Sequence, residues 1–169
     1  NNRNPPPTPA TPVPLDKSSP EFQAFAADTE KAMMYYYQNL MDSYQQINDA
    51  AKTMEYAEKA LGQDPEDLLA PLTISSVMAE RPPAAGAEAH NKKAEEHGKK
   101  ALAKVNASLS TPAAATVPPE AKSGLTSQVN ATMGLIYLNQ KKFGDSQKAY
   151  LQAIAAKKDD PVNYYRLGL

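Results

Sequence analysis

The sequence predicts an all-α protein preceded by an extended, proline-rich arm. Two observations carry this. The fifteen prolines separate three proline-free stretches, 21–64, 84–111 and 120–160, that are rich in Ala, Lys, Glu, Gln and Leu, the residues that enter helices at least cost. No run of alternating β-branched residues signals a strand anywhere. With 169 residues, 41% of them apolar, the chain can bury one core and still carry a tail.

The arm comes first. Seven prolines lie in the first twenty residues, and residues 1–19 form the predicted arm. Residues 1–17 (NNRNPPPTPATPVPLDK) favour extended polyproline II, with Pro6-x-x-Pro9 and Pro9-x-x-Pro12 spacings. Such a segment serves as a linker, or as an arm that docks into a groove on another copy. A helix follows. Ser18 and Glu21 have capping-box spacing, with Pro20 in the first turn. The series Phe22, Phe25, Ala26, Thr29, Met33, Tyr36/Tyr37, Leu40, Tyr44 and Ile47 steps by three and four. It predicts one amphipathic helix over 20–47, roughly 40 Å long.

From Met34 the sequence repeats. In residues 34–67 the pattern falls on Tyr37, Leu40, Met41, Tyr44, Thr53, Ala57, Ala60 and Pro65. In 68–108 it falls on Ile74, Ser75 and Met78, then Ala94, Gly98, Ala101 and Leu102, with an enlarged loop around Pro82–Gly86. In 127–160 it falls on Asn130, Met133, Gly134, Tyr137, Ser146, Tyr150 and Ala153. A partial fourth unit, 161–169, places Tyr164, Leu167 and Gly168; Gly134 and Gly168 are 34 residues apart. Residues 109–126, rich in Ala, Pro, Ser and Thr, read as a loop between units.

These residues resemble the tetratricopeptide repeat (TPR) family, whose 34-residue unit is a helix–turn–helix hairpin. The resemblance implies a right-handed superhelical solenoid over 20–169, with small residues where the two helices of a hairpin approach and large ones between hairpins. Met41 is large for its small-residue position, Ala57 is small where an aromatic is usual, and Asn130 departs from the pattern. The segments Tyr44–Thr53, Val77–Arg81 and Asp160–Leu169 further resemble exported TPR proteins of acidobacterial type, which implies a periplasmic, cell-surface or extracellular location. The chain begins with Asn1 and shows no signal-peptide pattern, so it reads as a processed form or a fragment.

Composition removes several function classes. Eighteen basic against nineteen acidic residues argue against non-specific nucleic-acid binding. The absence of Cys removes disulfides and thiolate metal sites. No apolar run is long enough to span a membrane. The seven glycines form no phosphate-cradling loop, and no hydrolase or metalloprotease motif occurs. His90 and His97 lie about 10 Å apart along a helix, too far to share one metal ion. The expectation is therefore a non-enzymatic protein without cofactor or metal.

In the implied solenoid, first helices line a concave groove. Tyr35, Gln38, Asp42, Gln45, Leu72, Ser76, Ala131, Leu135 and Leu138, with Asn139 adjacent, would face it. This surface is aromatic, amide and aliphatic, and lacks the Lys/Arg/Asn set that clamps chaperone tails; it suits an uncharged extended peptide. Alternatively the long first helix or the 109–126 stretch covers part of it. The ends suggest a different partner, another copy. Phe22, Phe25 and Met33 precede the repeat register, and Tyr164, Tyr165, Leu167 and Leu169 form half a hairpin, so head-to-tail contact would build a filament. Candidate glycosylation positions are the sequons at Asn106 and Asn130 and the proline-flanked Thr8, Thr11 and Thr111.

Overall fold

The computed structural model describes residues 16–168. Among them lie seven α-helices: α1 (Pro20–Gln46), α2 (Ala50–Gln63), α3 (Leu69–Glu80), α4 (Ala87–Leu109), α5 (Pro119–Asn139), α6 (Phe143–Ala156) and α7 (Pro161–Leu167). A short 3₁₀ turn occupies Pro112–Thr116. The protein is all-α, as the sequence predicts. The chain divides at Met33 into two units. The first holds the N-terminal half of α1, and the second, from Met34, holds every helix pair described below.

Two local expectations need correction. The cap of α1 is Ser19, not Ser18: Ser19 Oγ accepts the Phe22 amide at 3.1 Å, while Ser18 donates its amide and hydroxyl to Asp16. Proline at the first helical position leaves the residue before it as the cap. The stretch 109–126 is not one loop either. Helix α5 starts at Pro119, because Pro119 and Glu120 suit a first turn and Leu125 has apolar neighbours to pack on.

The α1–α2 and α5–α6 connections share backbone geometry at a constant offset of 93 residues. Asn48 and Lys141 sit in the left-handed region, at φ 60° and 59°. In each turn the next amide reaches back five residues, Asp49 N to Tyr44 O and Lys142 N to Tyr137 O, both at 2.9 Å. Each second helix ends alike: Asp64 N donates to Ala60 O and Lys157 N to Ala153 O. Before the next helix an aspartate accepts a backbone amide in both cases, though the geometry differs: Asp67, ahead of the Leu68 cap of α3, accepts from Ala70, and Asp160, itself the cap of α7, accepts from Val162. Lysine in the left-handed region is strained by its Cβ, whereas glycine is not. Lys141→Gly is therefore expected to raise stability by about 1 kcal/mol, read as a higher melting temperature.

Helices pack in chain order, α2 on α3, α3 on α4, α4 on α5, α5 on α6 and α6 on α7, and α3 also meets α5. The C-terminal part of α1 joins through aromatic stacking: Tyr44 lies parallel to Tyr56, centroids 5.5 Å apart, and Tyr37 lies 6.3 Å from Tyr56. One buried cluster combines Met41, Ala57, Ile74, Met78, Met133 and Ile136; a second combines Leu72, Ala101, Val105 and Val129. Ala60, Ala101 and Ala153 are fully buried, as residues at a close helix approach must be.

The two sequence positions that looked irregular have a packing explanation. In the α5/α6 hairpin the small residue is Gly134 and the large one Tyr150; a Cβ at Gly134 would lie 2.9 Å from the Tyr150 ring. In the α1/α2 hairpin the same two positions hold Met41 and Ala57, both buried in one cluster. Here the larger side chain stands on the first helix of the pair rather than the second, and the summed volume is similar. In the α3/α4 hairpin both residues are small, Ser75 and Gly98, and Met133 and Ile136 of α5 press against Gly98 to fill the space.

Candidate functional site

The predicted groove residues divide in two. Tyr35, Asp42 and Gln45 on α1 are exposed, Tyr35 by 71%. Ser76 on α3 and Ala131, Leu135, Leu138 and Asn139 on α5 are half-buried. Leu72 is a correction: it is 1% exposed and belongs to the second buried cluster. Leu109 at the end of α4 and Leu125 in the early turns of α5 close over that cluster. The segment read as loop thus removes Leu72 from any binding surface.

Two side chains of this set tie neighbouring first helices together. Gln38 Nε2 donates to Asp67 Oδ2 at 2.9 Å, joining α1 to the aspartate ahead of α3. Asn139 Nδ2 donates to the Ala79 carbonyl at 2.7 Å, joining α5 to the end of α3. Sequence reasoning missed Asp67, whose place three residues before Ala70 is the available capping signal. It also missed Tyr56, which completes the aromatic stack with Tyr37 and Tyr44.

Behind α5 runs a charged link. Glu95 on α4 pairs with Lys99 at 2.6 Å and with Lys142 at 3.0 Å. Burial pushes its carboxyl up, but hydrogen bonds from Lys99, Gln140 and Lys142 outweigh this and hold it at about 2. A carboxyl depressed in the fold adds stability above its unfolded pKa, about 4.3, and loses it as pH falls toward the folded value. Glu95→Gln is therefore expected to lower the melting temperature at neutral pH. The difference should shrink below about pH 4 and vanish near pH 2, which thermal melts across that range would read.

His90 Nε2 lies 2.8 Å from the Met78 carbonyl, linking α4 to α3, and burial lowers the pKa of His97. Among the described residues no group of three or more His, Asp or Glu side chains could hold a metal ion, and no helix is long and apolar enough to cross a membrane.

Of the predicted ends, Phe25 is 69% exposed, Met33 37%, Tyr164 50% and Tyr165 69%, while Phe22 and Leu167 are half-buried. Of the candidate glycosylation positions, Asn106 and Thr111 are exposed. Asn130 is a correction: it is 6% exposed, and its amide donates to the Thr126 carbonyl at 2.8 Å. A residue so enclosed offers no acceptor nitrogen. Thr8, Thr11, Leu169 and most of the arm lie outside the described residues.

No protein-family model matches the chain, and no curated protein is significantly similar to it. The residues themselves carry the functional argument.

Proposed function

We propose that the chain is a non-enzymatic scaffold of tetratricopeptide type that binds an extended, uncharged protein segment along its first helices. The observation carrying this is the constant offset at which the α1–α2 and α5–α6 pairs repeat their turn and end geometry. Packing in chain order, with α3 also meeting α5, supports a solenoid, because first helices then lie side by side. The exposed Tyr35, Gln45 and Asp42, with half-buried Ser76, Ala131 and Leu135, offer rings and amides to a peptide backbone.

Selection from a displayed library of uncharged extended peptides tests this. Binding should be lost on Tyr35→Ala and on Ala131→Glu and kept on Tyr164→Ala. Turnover of a hydrolase or transferase substrate that disappears with a groove substitution would overturn it.

A second reading, an exported structural subunit that assembles head-to-tail into an extracellular filament, has its own observation. Phe25, Tyr164 and Tyr165 expose half or more of their surface, which is unusual for large apolar groups without a partner. Exposed Asn106 and Thr111 suit the glycosylation such a subunit would carry. Light scattering and electron microscopy of the full chain decide it. Fibres abolished by Phe25→Asp or Tyr165→Asp support assembly, and a monodisperse monomer at high concentration rules it out.

A further inference from the structure

A cleft of about 310 Å³ opens between the end of α5, α6 and α7. Leu138, Phe143 and Leu167 supply its apolar walls, and Gln147, Tyr150 and Arg166 its polar groups. Among the described residues no acidic side chain lines it. The Ser146 hydroxyl at its edge already donates to the Gly134 carbonyl at 2.9 Å. Arg166 therefore stands in the cleft as a cation facing amide, hydroxyl and apolar groups.

Two further features set this place apart. Tyr150 is fully buried, and among the described residues its hydroxyl meets no partner at full hydrogen-bond geometry, although the Arg166 guanidinium lies beside it. A buried polar group left unpaired costs stability, and native proteins keep few of them. Phe143, at the start of α6, is 62% exposed on the rim, so an apolar ring is presented to whatever enters.

We propose that this cleft binds a monocarboxylate carrying one apolar group. Arg166 pairs with the carboxylate, the Tyr150 hydroxyl donates to it, and Phe143, Leu138 and Leu167 hold the apolar part. The volume lies at the small end for ligand sites, which limits the occupant to one such group. The same chemistry is offered by a free short-chain acid and by the last residue of a peptide. Leu138 belongs also to the predicted groove set, but Phe143, Tyr150 and Arg166 do not, so substitutions at those three test the cleft separately from the scaffold reading.

The test is a titration of the full chain followed by amide NMR, using isovalerate and acetyl-leucine, each against its primary amide. Saturable shifts are expected at Phe143, Tyr150 and Arg166 with the acids, and the amides should bind about tenfold more weakly, since the charged hydrogen bonds are lost. Arg166→Gln should reduce acid binding to the level of the amides, and Tyr150→Phe should weaken it several-fold while the rest of the spectrum is unchanged. The tighter of the two acids identifies the source. Equal binding of acids and amides, acid binding unaffected by Arg166→Gln, or no saturable shift in the cleft would overturn the proposal.

Discussion

Tyr150→Ala is expected to lower the unfolding free energy by about 3–5 kcal/mol. The ring is fully buried and lies against Gly134. Removing it empties a space that Gly134 has no side chain to refill. The loss is a large part of the roughly 5–15 kcal/mol that holds a domain together. Tyr150→Phe is the control. Among the described residues its hydroxyl meets no partner at full hydrogen-bond geometry, with only the Arg166 guanidinium beside it, so deletion should change stability by about 1 kcal/mol or less. Denaturant melts of the two variants should therefore differ by several kcal/mol, although they change the same residue.

Leu72→Ala is expected to cost about 2–5 kcal/mol. Its purpose is to separate two readings of one residue. On a solvent-facing groove the truncation would leave the melting temperature unchanged and weaken a bound peptide. In the cluster with Ala101, Val105 and Val129, it opens a cavity and lowers the melting temperature by several degrees. The second outcome is predicted, with no requirement that a ligand be present.

Helices were legible where periodicity and punctuation agree. The series from Phe22 to Ile47 predicts a helix over 20–47, and the observed one is Pro20–Gln46. Residues 119–126 were hidden because their composition resembles the loop before them; Leu125 packing against the cluster that holds Leu72, a tertiary contact, supports their helix. The same contact explains why Leu72 was misplaced, since spacing assigns a face but cannot show what a neighbouring segment covers. Met41 and Ala57 looked like two separate faults in the repeat. Both are buried in a single cluster, where the bulk of one can offset the smallness of the other. Asn130 matched a short sequon while standing at a packed helix position, so local pattern and burial disagreed and burial decides. The cleft around Tyr150 and Arg166 joins residues from three helices, which no linear motif brings together.

The proposed repeat rests on an equivalence between the α1–α2 and α5–α6 helix pairs. It can be tested by transplanting one hairpin's packing into the other. Gly134→Met alone should overpack against the Tyr150 ring and cost about 1–3 kcal/mol or more, and Tyr150→Ala alone should open a cavity. The double variant puts methionine and alanine where the first hairpin has Met41 and Ala57. If the positions are equivalent, its denaturant midpoint should recover, with a coupling of about 2–3 kcal/mol relative to the sum of the single losses. Losses that simply add would mean the two hairpins do not share a packing register, and the repeat account would be wrong.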